Sequence, residues 1–194
     1  KKENEADNII KDASNLYLAG VEFEENGDTK VDYFLKIEKE ATTIDDILDN
    51  IKTGGTVVKL QNDITLDWDD LEDLPEDMES LNIEVNRNVI IDGNGYTLDL
   101  NGLGTFVLKG KDIIVKNITI DNSFEHGVNI YNSRNVLLDK VVLSNSYQSG
   151  IFVNGSTVVL RDVSTLYNVG PGIKTTKSRT LRTQSHIDSV VEVK

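Results

Sequence analysis

The 194-residue chain contains no cysteine. That absence excludes disulfide staples, Cys-based zinc sites and thiol catalysis, and it leaves the compartment open. Long apolar runs are missing as well: nothing approaches the roughly 18 to 20 apolar residues that a membrane-spanning helix needs. No signal peptide is read at the start, where Lys1-Lys2-Glu3 has no apolar stretch nearby; a mature secreted chain or a piece of a longer one begins this way. Positive charge is scarce. The formal net charge is −13, and residues 1–110 hold 26 acidic against 10 basic side chains, while residues 111–194 hold 7 against 10. Binding to a phosphate backbone requires clustered Lys and Arg, so nucleic acid is not an expected partner.

Helical periodicity is absent from the second half, and a repeat stands in its place. The trios Val89-Ile90-Ile91, Ile113-Ile114-Val115, Val136-Leu137-Leu138 and Val158-Val159-Leu160 start 24, 23 and 22 residues apart. A second column, Gly104, Gly127, Gly150 and Gly172, has spacings of 23, 23 and 22, and a third, Asp99, Asn122, Asn145 and Asn168, repeats every 23. Three columns with one period point to a coil in which each strand stacks on its counterpart one rung later, about 4.8 Å away. The expected fold is all-β: a right-handed parallel β-helix, a single-stranded solenoid of about 23 residues per coil. Expected interior stacks are Ile118 over Val141, Ile120 over Leu143 and Leu166, Val128 over Ile151 and Ile173, and Ile130 over Val153. The Asn122–Asn145–Asn168 column is expected to form an internal ladder whose amides satisfy one another.

A solenoid must cover its ends, or exposed edges would pair with other chains. Ile44, Ile47, Leu48 and Ile51 share one helical face behind the capping Thr43, so 43–51 is expected to be an N-terminal capping α-helix that Gly54-Gly55 stops. The expected division is 1–41 as a small β element or linker with a hairpin turn at Asn26-Gly27, 42–178 as the β-helix, and 179–194 as its C-terminal end or cap, where the pattern decays.

Helix, Gly-Gly, strand, Ile91-Asp92-Gly93-Asn94-Gly95-Tyr96-Thr97-Leu98-Asp99-Leu100 and the 23-residue rung together resemble a known family. Residues 42–178 are similar to the pectate lyase-like β-helix domains of bacterial cell-surface, adhesin-type proteins. The resemblance implies surface display and attachment without catalysis, in an extracellular, cell-surface or cell-wall setting, with glycans or host surface molecules as partners. Such a module is expected to be monomeric or part of a longer surface protein. The same fold hosts polysaccharide lyases and glycoside hydrolases acting on acidic polysaccharides, and a purely structural stalk is a third reading.

Candidate site residues follow from these alternatives. For acid–base chemistry the candidates are His126 and Glu125 in Ser123-Phe124-Glu125-His126-Gly127, with His126 expected to be an exposed turn residue. Asp92, Lys116, Asp139 and Arg161 form an outward column of alternating sign. It is expected to be an ion-pair ladder, although Lys116, Asp139 and Arg161 could also grip an acidic sugar. Phe124 and Tyr147 lie 23 residues apart and are expected to stack; with Tyr131 and Lys174 they are candidates for contacting sugar rings. Eight carboxylates fall within residues 67–79, and Asp67, Asp69, Asp70 and Asp73 are the candidates for a calcium site, with no other cofactor expected. A solvated insertion, with Trp68, Leu71, Leu74 and Met78 able to pin it to the coil, is the alternative for that segment.

Overall fold

The computed structural model describes residues 16–179, 186–187 and 190–194. A long antiparallel hairpin leads in, β1 (Leu16–Glu25) against β2 (Asp28–Ala41). Its two-residue turn, Asn26 and Gly27, has positive φ at both positions, 57° and 85°, which an Asn-Gly pair accommodates at little cost. The second half of β2 then runs parallel to β3 (Thr56–Leu60), Ile37 opposite Thr56 and Ala41 opposite Leu60, so the hairpin is continuous with the sheet that follows.

Between β2 and β3 lies helix α1 (Ile44–Asn50). Thr43 caps it: its hydroxyl accepts the Asp46 N–H at 3.2 Å, while the Asp46 carboxylate accepts the N–H groups of Thr42 and Thr43 at 2.8 and 3.1 Å. These hydrogen bonds, Thr42's foremost, hold the Asp46 carboxyl below the usual carboxylate range. Ile44 and Ile47 are buried against the first coil with Ile51, and the expected helical lid is in place.

The chain then winds into a parallel solenoid. One sheet stacks β3, β6 (Ile90–Asp92), β9 (Lys111–Asp121), β11 (Arg134–Ser144) and β13 (Thr157–Arg161), extended by the short strands β4 (Ile64–Thr65), β7 (Thr97–Asp99) and β14 (Ser164–Leu166). The second sheet stacks β5 (Leu81–Val85), β8 (Gly104–Leu108), β10 (Val128–Tyr131), β12 (Ile151–Asn154) and β15 (Ile173–Thr176). Strands β16 (Ser178–Arg179) and β17 (His186–Ile187) pair with each other, and β18 (Val190–Val193) returns to β13 with Val158 opposite Val191. The repeat therefore does not end at Arg179: one more strand joins the first sheet. The polar run 180–184 lies outside the described residues.

Between the sheets, like side chains stack on like. Val58, Ile91, Val115, Leu138 and Leu160 pair rung on rung, and Val85, Leu108, Ile130 and Val153 do the same across the other sheet. All nine are at most 2% exposed. Burying each such side chain is worth roughly 1.5–3 kcal/mol, and this columnar core is the main stabilising contribution. The glycine column is steric. A Cβ on Gly127 would stand 2.6 Å from the carbonyl oxygen of Gly150, so the coils approach too closely there for any side chain.

Two expected columns are corrected. Ile120 does stack over Leu143, but Leu143 pairs with Thr165, and Leu166 is 45% exposed. The rung from β11 to β14 is 22 residues, not 23, which moves Leu166 one place from its expected stack. For the same reason Asn168 lies beside Ser146, not over Asn145; its side chain accepts the Ser146 N–H at 2.9 Å and donates to the Leu143 carbonyl at 3.1 Å. Nor do the ladder amides satisfy one another. Asn122 donates to Asp99 at 3.0 Å and Asn145 to Asp121 at 2.8 Å, each reaching a carboxylate of the preceding coil.

Candidate functional site

The expected site residues divide between the two sheets. On the first sheet the charged column is longer than its sequence pattern suggested. Glu40, Lys59, Asp92, Lys116, Asp139 and Arg161 occupy successive rungs, alternating in sign throughout. Lys116 lies 3.3 Å from Asp92, and Arg161 makes a bidentate pair with Asp139 at 3.1 and 2.8 Å. The Arg161 guanidinium holds the Asp139 carboxyl below its ordinary value. Lys116 and Arg161 are each engaged with a carboxylate of the preceding coil, while Lys59 reaches Glu38 at 3.7 Å, so Lys116, Asp139 and Arg161 serve the wall of the solenoid.

In the acidic segment, Asp70 accepts the Asp67 N–H at 2.8 Å and Asp67 accepts the Asp69 N–H at 2.9 Å. The aspartates cap their own turn, and Asp73 follows it. Among the described residues no three His, Asp or Glu side chains are gathered as a metal-holding group. Leu71 and Leu74 pack on the core, whereas Trp68 is 72% exposed and does not pin the segment down.

The second sheet gathers the other candidates. Glu84 (β5), Val107 (β8), Asn129 (β10), Phe152 (β12) and Lys174 (β15) form one outward column. Around its lower half lies a trough of about 330 Å³ walled by Asn82, Glu84, Thr105, Lys109, Glu125 and Tyr131, with Asn129 in its lining. Such a volume is at the small end of the roughly 300–1,000 Å³ typical of ligand pockets. A second depression of about 290 Å³ shares Asn82 and Glu84 and continues toward Lys52 and Arg87 beside the capping helix.

Within the trough the Thr105 hydroxyl donates to the Asn82 side-chain oxygen, and the Tyr131 hydroxyl donates weakly to Asn129 Oδ1 at 3.4 Å. Asn129 is 1% exposed, and its Nδ2 has no hydrogen-bond partner. Native proteins rarely leave a buried amide donor unmet, and doing so costs roughly 1–3 kcal/mol. Burial, and next the Glu125 carboxylate, push the Tyr131 phenol upward, so it stays protonated as an O–H donor.

His126 is buried, not an exposed turn residue. Its ring stacks on Phe152 at 4.7 Å between centroids, and Nδ1 accepts the Ser149 N–H at 3.0 Å. Burial, then the Lys174 cation, hold its pKa below the ordinary 6.5. Phe152 also meets Tyr131 edge-on at 5.7 Å and lies under the Lys174 ammonium at 5.7 Å. The structure thus brings His126, Tyr131 and Lys174 together around Phe152, with Glu125 close enough to act on Tyr131. The expected stacking of Phe124 on Tyr147 is replaced by this cluster. Phe124 is half-buried, and Tyr147 is 76% exposed at the outer bend.

A family model for the right handed beta helix region matches residues 41–189. The chain belongs to that family. No curated protein matches it, and no solved structure does. The parallel pairing and rung spacing of this β-helix agree with the family. No helix among the described residues is long and apolar enough to cross a membrane.

Sequence reading missed Asn82, Glu84, Thr105, Lys109 and Asn129. The signal was present in the alternation of strands β5, β8 and β10, whose outward positions, Val107 apart, carry polar groups. That these positions converge depends on which coils stack on which.

Proposed function

We propose that this β-helix is a non-catalytic glycan-binding module of a cell surface or cell wall, with the trough over β5, β8 and β10 as its site. The observation that carries the reading is the buried, unpartnered Nδ2 of Asn129, a residue that lines a polar cavity. Sugar hydroxyl and carbonyl oxygens are acceptors for such a donor, and Glu84 and Glu125 offer acceptors for sugar O–H groups. Tyr131 supplies an aromatic ring for the C–H face of a sugar to pack on. The adjoining depression toward Lys52 and Arg87 gives room for an oligomer lying across successive coils.

Lyase or hydrolase chemistry on this scaffold would draw on His126, Asp139, Lys116 or Arg161. His126 spends Nδ1 on the Ser149 backbone, and the others face one another in the charged ladder of the first sheet. Their commitments favour binding over turnover. The test is calorimetric titration of an oligosaccharide panel into the protein and its Tyr131→Ala variant, with product release followed in parallel. Binding that is lost in the variant while the thermal melt is kept supports the reading. Unsaturated products or new reducing ends that vanish with His126→Ala would replace it with an enzyme.

A further inference from the structure

Resting on the trough as a glycan site, the lining chemistry narrows the ligand. Two carboxylates, Glu84 and Glu125, face a single lysine, Lys109, so the lining carries a formal charge of −1. A uronate seated in the trough itself would meet repulsion from both glutamates, so the sugar held there is expected to be uncharged, whatever Lys52 and Arg87 contact in the adjoining depression. A neutral sugar with hydroxyls alone would satisfy the glutamates, but it offers nothing specific to the Asn129 amide.

We propose that the trough selects a 2-acetamido sugar, an N-acetylhexosamine within a neutral oligosaccharide. The acetamide group presents three features in one plane, a carbonyl acceptor, an N–H donor and a methyl group. The trough holds their complements: the unpartnered Asn129 Nδ2 as donor, the Glu125 carboxylate as acceptor, and Val107 with the Tyr131 ring as an apolar wall. The Tyr131 hydroxyl rests 3.4 Å from Asn129 Oδ1 and leaves Nδ2 as the open donor of the amide, so the acetamide carbonyl supplies the partner that Nδ2 lacks. A site built to hydrogen-bond one group rejects analogues lacking it, because its own buried polar atoms are left unmet.

The experiment compares chitotetraose, cellotetraose and tetragalacturonate by calorimetry, on the protein and on Asn129→Asp and Glu125→Gln variants checked by circular dichroism. Chitotetraose is expected to bind at least about tenfold tighter than the other two, and Asn129→Asp, which replaces the donor with an acceptor, to remove that preference. Should Asn129→Asp not fold, Glu125→Gln carries the test, since it weakens the acceptor for the acetamide N–H and is expected to reduce the preference several-fold. If cellotetraose or tetragalacturonate binds equally well and Tyr131→Ala abolishes it, the trough remains a glycan site and the acetamide assignment falls. Chitotetraose binding indifferent to both variants overturns the assignment by placing the sugar elsewhere. Silence from all three ligands overturns both the assignment and the glycan reading.

Discussion

At the scale of single residues, His126 shows how a histidine can be structural within reach of a binding surface. Its Nδ1 must keep a lone pair to accept the Ser149 N–H, and its ring is clamped on Phe152 with Lys174 close by and Glu125 as its chain neighbour. The folded pKa lies below 6.5, so the unfolded chain takes up a proton first as the pH falls. The sign follows: the contribution is complete above about pH 6.5 and is lost as the pH drops from there toward the folded value. Urea unfolding from pH 7.5 to 5 is expected to show this loss, and His126→Phe, which keeps a stacking ring and cannot titrate, to flatten the slope in that window. An unchanged slope in the variant would assign the pH dependence to other groups.

At the scale of elements, the bends decide how coils connect. Asn122, Asn145 and Tyr167 occupy equivalent bend positions with φ of 52°, 52° and 55°. Left-handed backbone costs an ordinary L-residue about 1–2 kcal/mol and costs asparagine less, which explains the bend asparagines. Tyr167 breaks that rule; its side chain is 86% exposed and contributes little packing in return. Tyr167→Asn is therefore expected to stabilise the protein by about 0.5–1 kcal/mol, read as a rise in the urea midpoint without a change in slope. A lower midpoint would mean that the tyrosine has a contact worth more than the strain it carries. The serines at another bend act similarly from inside: buried Ser133 and Ser156 bridge backbone groups of adjacent coils, with the Ser133 N–H donating to Ser156 Oγ at 2.9 Å.

At the scale of the molecule, each coil is stabilised chiefly by its neighbours, so a fault in one stack reaches the rungs on both sides. Ile151 is fully buried, with Val128 below it and Ile173 above. Ile151→Asp places an unpaired carboxylate in that stack, and desolvating it costs more than the several kcal/mol that hold a domain together. Loss of the cooperative melt at neutral pH is the expected result; a variant that melts like its parent would refute the rung alignment itself.

The fold was legible because a solenoid writes its tertiary contacts into its period. Val128, Ile151 and Ile173 are neighbours in space for the same reason that they are about 23 residues apart in sequence. The alternating charges from Asp92 to Arg161 were legible on the same ground. The final spacing of 22 in the strand and glycine columns marks a coil one residue shorter, but the column from Asp99 to Asn168 repeats every 23, so the period does not say where within that coil the residue is lost. That is decided at bends, where a single left-handed residue shifts the register, and so Asn168 and Leu166 fell one place from their expected stacks. The trough was hidden for a related reason. Its lining comes from β5, β8 and β10 and from the turn carrying Glu125, and their meeting depends on how far each turn folds back over its sheet. The sequence by itself determined the coil, its rungs and the residues stacked within it. The tertiary structure decided which outward side chains share a cavity, that His126 lies buried on Phe152, and that the Asn129 amide is left with a donor to offer. Stacking along the axis follows from sequence distance, whereas proximity across the face follows from turn geometry.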